Sequence, residues 1–295
     1  MRICRFDDNR LGVVVQDQVR DVTAALGSIP SASYPFPTHD SLIANLPEVR
    51  ASIERLPSSA PAVPLASVKL LSPVANPGKI VAAPVNYRKH LNEVLEDPNL
   101  HHNNQINEIH RAGLFLKATS ALIGSGHPFC RHLPHRRTDH EIELVMIIGK
   151  RAKDVAVEAA LDYVAGYAIG LDMTIRGPEE RSFRKSLDTY AVVGPYLVTA
   201  DEISDPGRLD MELRVNGQVR QRTNTSELIL GLAQLIAFAS SFYTLHPGDV
   251  IFSGTCEGVG PVVPGDTLSA SIQEIGVMTV VVEGAETPTA RSAPA

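Results

Sequence analysis

The chain has 295 residues, 44% hydrophobic and 20% charged, which is enough apolar material for one large buried core and a smaller second one. Its net charge of −6 at pH 7 offers no general basic field to a phosphate backbone, so nucleic acid is not an expected partner, and a small anionic ligand would need a locally positive site. No apolar run approaches the ~20 residues of a membrane span, the opening MRICRFDDNR is too charged for a signal peptide, and three cysteines without paired spacing fit thiols in a reducing cytoplasm.

RICRF and LGVVV, separated by the turn-prone DDNR, read as two antiparallel strands opening a small α+β domain. Asp40 or Ser41 is placed to cap a helix in which Ile43, Leu46, Val49 and Ile53 share a face, ended by Pro57, Pro61 and Pro64. The stretch PSSAPAVPLAS predicts an extended connector. It divides a small domain, residues 1–72, from a catalytic domain, residues 73–285, with 286–295 as a disordered tail.

KIVAAPV is the first strand of the larger unit, and RKHLNEVLEDPNLHHNNQINEIHRAG after it is too poor in apolar residues for core and reads as a mobile lid. Strands then dominate: LFLKA, EIELVMIIG, GYAIGLDM, GPYLVTA, LDMELRVNGQVRQ, DVIFSG and MTVVVE. Asn216-Gly217 between two alternating runs predicts a type I′ hairpin turn, and a helix is expected from about Thr225 to Tyr243, with Leu228, Leu232, Leu235, Ala239 and Phe242 facing a core. The fold class is α+β and β-rich.

The chemistry concentrates in Asp139-His140-Glu141-Ile142-Glu143-Leu144, where two glutamates two apart enter an otherwise apolar strand and point the same way. Side-by-side carboxylates at a buried strand are costly unless a cation compensates them. Asp172, in the strand YAIGLDMT, is the best third oxygen ligand, and three carboxylates without a thiolate favour Mg²⁺ or Mn²⁺. The alternative is a solvated strand edge with Asp172 capping a turn. His90 and Glu93 have the spacing of one helical turn and suit a general-base pair, although a surface histidine beside a glutamate has the same pattern. His101, His102 and His110, and separately Cys130, His132 and His135, lack a second half at any recognised zinc spacing and read as loop residues.

In order along residues 79–283, the blocks NYRKH, LFLKATSALIG, DHEIEL, DYVAGYAIGLDMT, KSLDTY, GPYLVTADEI, VNGQVRQRTNTSEL, LHPGDVIFSGT and GVGPVVPGD together resemble the fumarylacetoacetate hydrolase superfamily. Within it the chain is similar to acylpyruvases and 2-hydroxyhepta-2,4-diene-1,7-dioate isomerases. The resemblance implies a mixed β-sandwich roll, a homodimer, and Mg²⁺ or Mn²⁺ on Glu141, Glu143 and Asp172. It also implies that His90 with Glu93 activates water, that Lys185 approaches substrate oxygens, and that Tyr87, Arg88, Lys117 and Thr255 contact substrate. The implied reaction is hydrolysis of a carbon–carbon bond in an acylpyruvate or other small 1,3-dioxo acid. A decarboxylase, hydratase or isomerase of a 2-oxo-dienoate from aromatic catabolism is the alternative, and a non-catalytic protein that binds a metal or a small acid is a third reading. Leu171, Gly177 and Cys256-Glu257 depart from the common pattern. Glu257 would oppose a second substrate carboxylate unless Arg131, Arg136 and Arg137 offset it.

Overall fold

The computed structural model describes residues 1–57, 61–102 and 105–284, so the expected tail at 286–295 lies outside the described residues. Apolar strands pair into a large mixed sheet whose main path runs Ala62–Pro64, Gln18–Asp21, Arg10–Val15, Arg2–Phe6, Ala191–Thr199, Val164–Asp172, Ile142–Ile148, Val250–Phe252, Ile80–Ala82, Phe115–Lys117. The opening strands therefore join the central ones directly, Arg2–Phe6 pairing antiparallel with Ala191–Thr199. A second sheet of five strands runs Gln218–Asn224, Asp210–Val215, Thr267–Ile272, Gly276–Gly284, Phe129–Arg131.

The central strand Ile142–Ile148 is buried at every position. Because side chains alternate along a strand, Ile142, Leu144 and Met146 join Leu213, Ala270 and Val280 from the second sheet in one core, while Val145 and Ile147 join Ile43, Val49 and Phe252 in another. Burial on both faces is why this strand shows no polar alternation. The expected α+β, β-rich fold with mixed sheets is the one the chain adopts.

Local details follow capping and turn chemistry. Asn216 and Gly217 both take positive φ, 51° and 80°, at the tip of the hairpin that pairs Val215 with Gln218. Asp40 caps as expected, its carboxylate accepting from the Ile43 N–H at 3.1 Å, but the helix is two pieces, Ser41–Ala44 and Leu46–Arg55, with Pro47 starting the second. Part of the proline-rich connector, Ala62–Pro64, forms a strand on Gln18–Asp21.

Two expectations need correction. The segment after KIVAAPV is helical at Arg88–Glu96, Pro98–His101 and Ile109–Ala112, and it buries His90, Val94, Leu100 and Ile109. Its few apolar residues fall where they pack, with Val94 and Leu100 clustering against Val259. The helix expected from Thr225 begins at Leu232 instead, after a 3₁₀ turn at Thr225–Glu227, and Phe242 faces solvent. The reason is a competing set of bonds: the Ile229 N–H donates to the Asn86 carbonyl at 2.8 Å and the Leu230 N–H to Asn86 Oδ1 at 2.8 Å, which holds residues 228–231 out of the helix.

Asn86 also donates through Nδ2 to the carbonyls of Leu230 and Ser253, at 3.0 and 2.8 Å, and is fully buried. Asn86→Ala strips these side-chain bonds and strands buried backbone groups, so it should destabilise the fold by about 3 kcal/mol, read as a lower urea midpoint at unchanged slope. A midpoint equal to wild type would show that Asn86 does not pin these segments.

Candidate active site

Antiparallel register sets Ile142 against Leu171, and the next pair inward brings Glu141 to Asp172, whose N–H donates to the Glu141 carbonyl at 2.9 Å. Period-two alternation puts Glu143 on the same face as Glu141. Carboxylate oxygens of Glu141, Glu143 and Asp172 all lie within 4.8 Å of one another, and all three residues are buried, which excludes the solvated strand edge. A set of three hard oxygen donors fits Mg²⁺ or Mn²⁺ and leaves coordination positions for water and a chelating ligand.

Fixed cations surround the triad. Lys185 Nζ donates to Glu141 Oε2 at 2.7 Å, to Asp172 Oδ2 at 2.6 Å and to Thr174 Oγ1 at 2.7 Å. Lys117 donates to Asp172 Oδ1 and to the Tyr190 carbonyl, the latter at 3.1 Å. Arg176 bridges Glu141 Oε1 at 2.7 Å and Asp139 Oδ2 at 2.8 Å. Burial opposes charge on Glu141, but Lys185 and Arg176 outweigh it and hold the carboxyl below the usual range.

Glu143 differs from Glu141. Its Oε2 accepts the Gly254 N–H at 2.6 Å, while burial, reinforced by the charge of Asp172, pushes its carboxyl well up. Gly254 is required there: its φ is +100°, and a Cβ would stand 2.6 Å from that of Asn86.

Helix Arg88–Glu96 brings the second expected group. His90 Nδ1 lies 2.8 Å from Glu93 Oε2, and Glu93 Oε1 accepts the Gly258 N–H at 2.9 Å. His90 is 4% exposed and lines one pocket with Glu141 and Lys185, so the pair is no surface accident. Apolar Val85, Val94, Leu100 and Ile106 line the same pocket, along with Arg176, Arg181 and Arg184. This supplies the locally positive site that an anionic ligand requires.

Not every expected residue arrives. Arg88 is exposed and pairs with Glu108 at 2.9 Å, and Tyr87 is buried with its hydroxyl toward the Met211 sulfur. Neither bonds a triad carboxylate or lines the pocket that holds His90 and Glu141. Thr255 is committed to the strand end, donating to the Ile142 carbonyl at 2.8 Å and accepting from Gln221 Nε2 at 2.8 Å. Arg136 pairs with Glu179 and Arg137 with Asp139, so it is Lys89, 3.8 Å from Glu257, that faces that acid. The Cys256 thiol, pushed up to about 12 by burial, stays protonated and is no nucleophile.

Sequence reasoning missed the roles of Arg181, Arg184 and Gln221. The run RSFRK does carry a signal, since Arg181, Arg184 and Lys185 fall on one helical face. Gln221 gives none: it sits in an exposed-looking hairpin strand, yet is buried and bonds His140, Ile142, Thr255 and Cys256.

Residues 79–283 match the family model for the fumarylacetoacetate (FAA) hydrolase C-terminal region. The chain belongs to the fumarylacetoacetate hydrolase family. Within the family it is 58% identical to a maleylpyruvate hydrolase from Aquipseudomonas alcaligenes over 286 residues, which is 96% of this chain and 99% of that one. The structure of maleylpyruvate hydrolase from Sphingobium sp. SYK-6, in complex with manganese(II) and pyruvate, is 44% identical, with a TM-score of 0.83 over 97% of this chain and 100% of that one. More distant is 5-carboxymethyl-2-hydroxymuconate delta-isomerase from Mycobacterium smegmatis, 29% identical with a TM-score of 0.71, covering 97% and 100% of the two chains.

As in any such site, a first ligand matters more than its supports. Glu143→Gln should weaken Mn²⁺ binding by more than the roughly 10- to 100-fold that loss of an outer-shell partner brings, measured by titrating chelator-treated protein with Mn²⁺. Wild-type affinity in the variant would remove Glu143 from the ligand set.

Proposed function

We propose that this protein is a Mg²⁺- or Mn²⁺-dependent hydrolase that cleaves the carbon–carbon bond of maleylpyruvate or a closely similar acylpyruvate, releasing pyruvate. The observation that carries this reading is that His90, bonded to Glu93, lines one pocket with Glu141, a member of the buried carboxylate triad. The 58% identity to a maleylpyruvate hydrolase narrows the substrate class.

Glu141, Glu143 and Asp172 would hold the metal, which when bound would supply Lewis acidity toward the 2-oxo acid end of the substrate. The chain's own residues do the remaining work. Glu93, anchored by the Gly258 N–H, keeps the proton of His90 on Nδ1 and leaves Nε2 as the base. Nε2 takes a proton from water, and the oxygen adds to the acyl carbonyl carbon. The bond to the methylene carbon then breaks, its electron pair leaving as the enolate of pyruvate. The proton held by His90 returns to that carbon, so one water is consumed and a carboxylate and pyruvate depart. Lys185, already within reach of two triad carboxylates, balances charge that develops on the leaving oxygen atoms. Apolar Val94, Leu100 and Ile106 limit bulk water around the reacting carbons.

Isomerisation or decarboxylation needs no water-activating base, so the oriented His90–Glu93 pair favours hydrolysis over both. The same reading takes the enzyme as a homodimer of the cytoplasm, supported by the family resemblance and by the buried thiols Cys4 and Cys256.

Metal-stripped protein should release pyruvate from acylpyruvates only after Mg²⁺ or Mn²⁺ is restored. His90→Ala should lower kcat by about 10²- to 10⁴-fold while Mn²⁺ affinity is retained. Turnover of 2-oxo acids that survives the substitution, without pyruvate release, would replace the hydrolase by a lyase or isomerase.

A further inference from the structure

The cations of the pocket are not equivalent. Arg176 pairs with Asp139 and Glu141, and Lys185 with Glu141 and Asp172. Among the described residues Arg181 and Arg184, on the short helix Arg181–Lys185, form no ion pair with a carboxylate, although Glu141 acts on both from farther away. Arg184 is held by backbone, Nε donating to the Glu179 carbonyl at 2.8 Å and Nη1 to the Ile175 carbonyl at 3.5 Å. Among the described residues Arg181 makes neither a hydrogen bond nor an ion pair, and its guanidinium carbon lies 5.6 Å from the centroid of the Phe115 ring.

Lys185 Nζ stands 5.4 Å from the same centroid. The Arg181 guanidinium and the Lys185 ammonium are thus no farther apart than these two distances combined, and Lys185 touches the triad directly. An arginine that bonds no carboxylate directly in a partly dehydrated pocket gains from an anion that reaches it, and its planar fork suits a carboxylate. Burial lowers the pKa of Arg181 against the opposing pull of Glu141, Glu180 and Asp172, and burial with repulsion from Arg176 and Arg181 lowers that of Arg184 against Glu141 and Glu179. On the other flank Lys89 lies between Glu227 and Glu257, at 3.2 and 3.8 Å, and has no charge to spare.

We propose that Arg181, with Arg184 adding to the same positive field, is a specificity-determining residue that binds the distal carboxylate of a dicarboxylic acylpyruvate whose 2-oxo acid end sits at the Glu141, Glu143 and Asp172 triad. This rests on the acylpyruvate reading above. It makes the acyl tail, and not only the pyruvyl end, a charged recognition element, and it sets the tail on the Phe115 side, away from Glu257. The pocket then selects a diacid over an acylpyruvate with an apolar tail.

The test compares kcat/KM for maleylpyruvate with that for acetylpyruvate, whose tail is uncharged, in wild type, Arg181→Met and Arg181→Lys, with maleate as a competitive inhibitor. Wild type should prefer maleylpyruvate, and Arg181→Met should cut that preference by about 10- to 100-fold, mainly through KM, with the inhibition constant of maleate rising in parallel. Arg181→Lys should fall between the two, since it keeps the charge and loses the fork. A preference within about 3-fold of wild type in the methionine variant, or in the lysine variant should the former not fold, with maleate inhibition unchanged, overturns the assignment. Pyruvate release from acetylpyruvate but not maleylpyruvate by wild type also overturns it while leaving the hydrolase reading intact, whereas release from neither substrate brings down the hydrolase reading itself.

Discussion

Three carboxylates confined within 4.8 Å of one another inside the fold are the constraint around which this protein is arranged. At an effective dielectric of about 20, each pair of charges at such a spacing repels by roughly 3–4 kcal/mol. The chain offsets the repulsion with cations that cannot move away: Lys117 on Asp172, Lys185 across Asp172 and Glu141, Arg176 across Glu141 and Asp139. Glu143 alone relies on a backbone N–H. A divalent metal completes the same balance, which is why hard oxygen donors, and no thiolate, occur here.

Holding such a cluster requires a rigid frame. The strands Ile142–Ile148 and Val164–Asp172 supply it, since each is packed on both faces and their register leaves Asp172 no freedom relative to Glu141. The side that carries His90 and Glu93 is built differently. His90 and Glu93 stand on a short, mostly polar helix held by Asn86 near its base, by Arg88 and Lys89 on Glu108 and Glu227, by Gly258 on Glu93, and by Val94 against Val259. The carboxylates are thus positioned by paired strands, and the His90–Glu93 pair by a helix packed beside them.

Much of the site was legible because strand periodicity is local. Glu141 and Glu143 share a face by their spacing alone, and the apolar runs around them and Asp172 announced burial. The i, i+3 spacing of His90 and Glu93 likewise foretold their contact. What failed were readings that depended on long-range bonds. Residues 228–231 have helical periodicity, yet Asn86, far away in sequence, takes their backbone groups. Arg88 and Tyr87, named by resemblance, also meet partners distant in sequence, Arg88 pairing with Glu108 and the Tyr87 hydroxyl lying beside the Met211 sulfur.

The amino-acid sequence by itself determined the family and the β-rich class, and it singled out Glu141, Glu143 and Asp172 as candidate ligands and His90 with Glu93 as a candidate base, through residue type and short spacings. Tertiary structure alone decided that the three carboxylates meet within 4.8 Å, that Lys117, Lys185 and Arg176 balance them, and that among the described residues the Arg181 guanidinium bonds no carboxylate. Charge compensation joins residues tens of positions apart, such as Lys117 and Asp172, and no local rule of spacing encodes which cation meets which carboxylate.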